Sequence, residues 1–159
     1  MAYKIILWDI DGTILNFKAA EAVAIRTGFA RLHLGVCTPM MIEHYSKINV
    51  KWWALLEKGE YTKPEILINR FKEFFSNYGI DVSKAEEFNK HYQIDLGDTI
   101  VFNDDAFNII QSIQIPQFGA TNGTKIAQSK KIKASKLDTL LEAVFISDEI
   151  GHEKPTKEY

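Results

Sequence analysis

Cysteine is nearly missing from this chain. Cys37 stands alone among 159 residues, so no disulfide can form within it. A lone thiol favours a reducing compartment, and the cytoplasm is the expected location. Cys37 itself reads as a small apolar residue, buried or half-buried. Long hydrophobic runs are missing as well. No segment approaches the length of a bilayer span, and Lys4 precedes only a short apolar stretch, so neither a membrane span nor a signal peptide is expected. A basic excess is also missing. Lys and Arg number 19 against 21 Asp and Glu, which leaves no clustered positive surface for a nucleic-acid polymer. The histidines His33, His44, His91 and His152 lack metal-ligand spacing and read as surface or packing residues; only His152 lies close in sequence to a candidate site residue. There is no internal repeat and no low-complexity segment.

What is present is a globular composition, 46% hydrophobic and 25% charged, in a chain long enough for a real core. The organising stretch is Trp8-Asp9-Ile10-Asp11-Gly12-Thr13-Ile14-Leu15. The apolar run before it reads as a buried strand over Lys4–Trp8. Two carboxylates, Asp9 and Asp11, then appear at i and i+2, where an ideal strand shows one face. Gly12 lets the backbone turn. Parallel α/β sheets bind ligands at the carboxyl ends of their strands. Two acids there can divide the work of a group transfer. One attacks, the other handles a proton, and a divalent cation offsets their repulsion. A plain turn is the simpler reading of D-x-D-G, and a calcium loop another. The calcium loop fails for want of a closing acid at the right spacing.

From Lys18 to about Tyr92 the pattern is helical. A first helix carries Ala19 to Leu34 and stops at Gly35. Thr38-Pro39 starts a second, and Trp52 to Leu56 belong to a third, ended by Gly59. Thr62-x-x-Glu65 and Ser83-x-x-Glu86 are capping boxes. Between them Leu67, Phe71, Phe74, Phe75 and Tyr78 recur at helical spacing. The tryptophans and phenylalanines read as packing. The core is expected to resume near Thr99–Phe102, and Asn103 or Asp104 can cap a helix through Phe107, Ile109, Ile110 and Ile113. A strand at Gln117–Ala120, a helix over Thr124–Ser135 and a strand at Val144–Ile146 follow. The expected organisation is core over 1–17, a helical insertion over 18–95, and core again over 96–159.

Asp9-Ile10-Asp11-Gly12-Thr13-Ile14-Leu15 resembles the first motif of the haloacid dehalogenase-like superfamily, D-x-D-G-T-[LIV]-[LIVF]. Thr121-Asn122-Gly123 and Glu153-Lys154-Pro155 resemble its second and third motifs, in the same order. The resemblance implies a Rossmann-like parallel-sheet core with the helical insertion as a cap that closes over the active site and selects substrate. It implies Asp9 as nucleophile and Asp11 as acid and base. Mg²⁺ would lie on the Asp9 carboxylate and the backbone carbonyl of Asp11. Thr121 would offer its hydroxyl to the phosphoryl group, joined by Gly12, Asn122, Gly123 and the Lys154 ammonium. Taken alone, Thr121 reads as readily as a helix cap, and Lys154-Pro155 as a surface turn. The family's dehalogenases lack an acid where Asp11 stands, so the resemblance favours phosphate chemistry. Ala120–Gly123, Phe145–Gly151, Asn49–Trp53, Gly59 and Arg70-Phe71 look most like pyrimidine-type nucleoside 5′-monophosphatases, which implies a nucleotide substrate. A phosphomutase of the same fold is the alternative.

One part of the family pattern is missing. Its fourth motif, G-D-x-x-x-x-D, completes the magnesium site, and no such segment follows Lys154 before Tyr159. The region around Ile115–Phe118 is also short, and Asp104-Asp105 falls in the wrong order to substitute. The expectation is a C-terminally truncated chain with weak metal binding, exposed apolar surface and little or no turnover; an inactive fragment that binds without catalysis is a further alternative. Monomer and homodimer both fit the sequence.

Overall fold

The computed structural model describes residues 3–159. The chain forms two compact units, one of residues 1–20 and 96–159, the other of residues 21–95.

The first unit is built on a parallel three-stranded sheet in the order β1 (Ile6–Asp9), β2 (Gln117–Thr121), β3 (Ala143–Ile146). In register, Trp8 lies beside Gly119 and Gly119 beside Val144, while Asp9 pairs with Ala120 and Ala120 with Phe145. Alternation therefore gives the sheet two unlike faces. Trp8 and Val144 pack onto a core of Ile10, Ile14, Leu15, Ile110, Leu137 and Leu141. Gly119 must be small there, because a Cβ would come within 2.9 Å of Ile10 Cδ1 and 3.1 Å of Val144. Gln117 is buried but satisfied: it accepts from the Trp8 indole at 2.9 Å and donates to Ile110 O at 2.9 Å. The opposite face carries Leu7, 59% exposed, and Phe145, 44% exposed, with Phe118 stacked on Phe145.

Residues 99–102 form no strand, and the cap expected at Asn103 or Asp104 is corrected. Phe102 makes one antiparallel bridge to Leu15, and Asn103 N and Ile14 O bond at 2.9 Å, so this segment braces the loop after β1. The following helix, α5 (Ala106–Ser112), starts after Asp105, whose side chain makes no capping bond. α6 (Lys125–Ala134) is capped by Thr124, whose Oγ1 accepts from Ala127 N at 3.3 Å. The short α7 (Ser147–Ile150) follows β3 directly.

In the second unit, α1 (Phe17–Arg31), α2 (Pro39–Glu57), α3 (Lys63–Asn77) and α4 (Ala85–Asp98) supply the helices; α1 begins and α4 ends across the unit boundary. α2 is one continuous helix of 19 residues, so the break expected before Trp52 does not occur. No Gly or Pro interrupts it, and Met41, Tyr45, Ile48 and Leu56 keep one buried face throughout. The Thr62/Glu65 capping box is present at α3. At α4 the sequence pattern misleads: Asp81 caps a 3-10 turn over Val82–Lys84 by accepting from Ser83 N at 2.9 Å, and the α-helix continues to Asp98. The core is aromatic, with Phe29, Tyr45, Phe71, Phe74, Phe75, Phe88 and Tyr92 all buried. Tyr45 stacks on Phe71 at 4.9 Å. Trp52 and Trp53 are only half-buried, and Trp52 donates to Glu73 at 2.8 Å. A buried polar chain crosses this core. Glu21 accepts from Ser46 at 2.6 Å and Asn49 at 2.8 Å; Asn49 in turn accepts from Arg70 at 2.7 Å.

Candidate active site

β1 ends at Asp9, and the chain then folds into a tight turn. Ile14 and Leu15 both donate to Ile10 O, and Gly12 N donates to Leu15 O at 2.8 Å. Gly12 has φ +93°, a conformation that disfavours any side chain. The strand has therefore ended before Asp11, and the two acids take different partners.

Asp9 is bound on both oxygens. Lys154 Nζ donates to Oδ1 at 2.7 Å, and Thr13 Oγ1 donates to Oδ2 at 3.0 Å. Its side chain stays 46% exposed, open to a ligand. Lys154 Nζ also donates to Ala120 O at 3.0 Å, which fixes the ammonium at the ends of β1 and β2. The Lys154 backbone is held by Asn122: Asn122 Nδ2 donates to Lys154 O at 2.8 Å, and Lys154 N donates to Asn122 Oδ1 at 2.7 Å. Thus the segment with the third motif is tied to the second by a side-chain amide. Sequence spacing does not reveal that use of Asn122.

Thr121 is buried at the end of β2, one residue past Ala120, the register partner of Asp9. Its Oγ1 accepts from Gly123 N at 3.1 Å, so the Gly123 amide is engaged within the loop. Its own N–H donates to the Tyr159 hydroxyl at 3.0 Å, which donates to Phe145 O at 2.7 Å. Tyr159 thereby links the ends of β2 and β3. Partial burial pushes its phenol above the ordinary range; the Thr121 amide opposes this, while the charges of Glu153 and Asp9 add to it.

Asp11 is held from α6. Lys131 Nζ donates to Oδ1 at 2.6 Å and Gln128 Nε2 to Oδ2 at 2.7 Å. Neither residue stands in a recognisable motif. The one available signal is their spacing of three on a helix that directly follows Thr121-Asn122-Gly123. His152 is exposed, and none of the site bonds described involves it.

As metal ligands, Asp9 and Asp11 offer oxygen only. That suits a hard cation such as Mg²⁺, which keeps several waters and takes phosphate oxygens beside one or two carboxylates. Among the described residues, no three His, Cys, Asp or Glu side chains gather into a fuller set. The two acids fit as an open, partial site.

A parallel sheet with an acid pair at the tip of its first strand, met there by a distant lysine, defines a hydrolase class, and residues 6–159 match its family description. The chain belongs to the haloacid dehalogenase-like hydrolases. It is 33% identical over 161 residues to the HAD-hydrolase YfnB of Bacillus subtilis, covering 99% of this chain and 67% of that protein. It is 29% identical over 157 residues to the pyrimidine 5′-nucleotidase PynA of Streptococcus pneumoniae, covering 98% and 66%. The crystal structure of YfnB bound to magnesium superposes with a TM-score of 0.92 at 32% identity, over all of this chain and 70% of that one. The L-2-haloacid dehalogenase of Xanthobacter autotrophicus shares the fold, with a TM-score of 0.69 at 14% identity over 99% and 62%. The chain spans about two thirds of the length of the curated relatives it matches. No helix among the described residues is long and apolar enough to cross a membrane.

Proposed function

We propose that this hydrolase is a magnesium-dependent phosphatase of small phosphomonoesters, working through an aspartyl phosphate, with a nucleoside 5′-monophosphate as substrate. The observation that carries the reading is the Lys154 ammonium, held against both Asp9 Oδ1 and Ala120 O. A cation placed there steadies a carboxylate nucleophile and the charge that builds on a transferring phosphoryl group. An Asp9 oxygen attacks phosphorus and the ester P–O bond breaks. Asp11 delivers a proton to the departing oxygen, then takes one from the water that attacks the same phosphorus. The Asp9–phosphorus bond breaks, inorganic phosphate leaves, and both acids return to their starting state. Thr121, Asn122, Gly123 and Gly12 are the proposed phosphate-binding residues, beside Lys154. Magnesium would be held by the Asp9 carboxylate and the Asp11 backbone carbonyl, and supplies Lewis-acid charge to the phosphoryl oxygens. The helical unit is the proposed cap. The nucleotide part of the reading is supported by the likeness to PynA and by the similar stretches Asn49–Trp53 and Arg70-Phe71.

The test is phosphate release from a panel of nucleoside 5′-monophosphates and sugar phosphates, with and without Mg²⁺. Asp9→Asn should abolish release, and rapid quench of the parent chain should show a PO₃ mass gain on the peptide containing Asp9. Release that persists in Asp9→Asn, or no preference for nucleotides over sugar phosphates, would refute the corresponding half of the reading.

A further inference from the structure

We infer that Gln128 and Lys131 are positioning residues for Asp11, and that Gly123 is glycine to admit Gln128. The inference rests on the proposed role of Asp11 in proton transfer. Three observations support it independently of one another. First, the two donors divide the carboxylate between them, Lys131 on Oδ1 and Gln128 on Oδ2, and both are 1% exposed. A carboxylate gripped at both oxygens from a helix keeps one orientation, although it sits on a turn. Second, a Cβ at Gly123 would lie 2.1 Å from Gln128 Nε2, so a methyl group there would displace the amide. The loop that follows β2 is thus shaped around the side chain that holds Asp11. Third, Gln128 Oε1 is buried and finds no hydrogen-bond partner among the described residues. A buried orphan carbonyl is costly, and such costs are retained where a group has other work. The amide keeps its N–H on Asp11 and leaves its own oxygen unmet. Lys131 is placed in turn by the Phe17 ring, 5.3 Å from its ammonium.

The first readout needs no turnover. Aspartate carboxyl carbons are labelled with ¹³C in the metal-free, phosphate-free chain at neutral pH, and Asp9→Asn and Asp11→Asn assign the two resonances. Gln128→Met, Lys131→Met and Gly123→Ala should each move the Asp11 resonance and leave that of Asp9 in place. Gln128→Met and Gly123→Ala keep the buried ammonium, so they carry the test should Lys131→Met fail to fold. An Asp11 resonance unmoved in every folded variant overturns the inference. The second readout compares, by rapid quench, the rate of aspartyl-phosphate formation from p-nitrophenyl phosphate, whose leaving group needs no proton, with that from a nucleoside 5′-monophosphate; this step precedes the common attack of water. Gln128→Met should slow the nucleotide about 10- to 100-fold and p-nitrophenyl phosphate far less, because only the former draws on a well-aimed acid. A merely structural role would slow both alike, and that result also overturns the inference. If Asp11→Asn itself slows both alike, the proton-transfer role fails; the resonance still decides whether Asp11 is held by these two residues.

Discussion

At the scale of single residues, the site depends on donors that reach across the sequence. Lys154 meets Asp9 over 145 positions, and its backbone is held by Asn122 over 32. Replacing Lys154 with Met keeps the stem and removes the charge. Phosphatase turnover should fall about 10²- to 10³-fold, read from initial rates at saturating substrate, as expected for loss of one fixed donor to a developing negative charge. Little change would argue that the ammonium has no part in the chemistry. The acids and Lys154 stand in short motifs that are visible in the bare sequence. Gln128, Lys131 and Tyr159 cannot be found that way. Each acquires its neighbours only when α6 or the tail folds back on a strand end, and a helical lysine or a tyrosine beside a loop looks like any other before then. The strand rule misleads at Asp11 for a related reason. Alternation applies to extended backbone, and Gly12 at φ +93° lies in a turn already closed by Leu15.

At the scale of elements, capping residues locate the helices better than hydrophobic spacing does. Thr38 starts α2 as its chemistry suggests, and its Oγ1 accepts from Met41 N at 3.2 Å. Thr38→Ala should destabilise the helical unit by about 1 kcal/mol, measured as a lower urea midpoint with unchanged slope. An unaltered midpoint would show that the cap contributes nothing. Where two candidate caps lie close together, local chemistry chooses the wrong one. Ser83 fits a capping box by spacing, yet Asp81 takes the Ser83 amide and winds a 3-10 turn first. Residues 99–102, where the core is expected to resume, make one bridge to the loop after β1 and serve as a brace. The parallel sheet itself is legible because its strands are short, largely apolar stretches, two of which end in the candidate site residues Asp9 and Thr121.

At the scale of the whole molecule, charge buried far from solvent sets how stability responds to pH. Burial pushes the Glu21 carboxyl above its ordinary value, against the opposing pull of Ser46, Asn49, Arg70 and Tyr92. The folded chain therefore binds this proton more tightly than the unfolded chain does. The stability it contributes is full below the ordinary carboxylate value and is lost as pH rises through the raised one. Glu21→Gln has no such proton. The stability of the parent relative to this variant should decline as pH climbs across that window, and urea titrations at several pH values would show it. A constant difference would mean that Arg70 and the amides fully compensate for burial. The two units also differ in how the chain enters them. Residues 21–95 form one unbroken stretch, whereas the sheet takes its first strand from residues 6–9 and its others from beyond residue 116. On a ribosome the helical unit can emerge and pack while β1 has no strand to pair with. During that interval Leu7, Trp8 and the Asp9 carboxylate wait in the open, and the proposed centre forms only once the segment carrying Lys154 has folded back against Asp9.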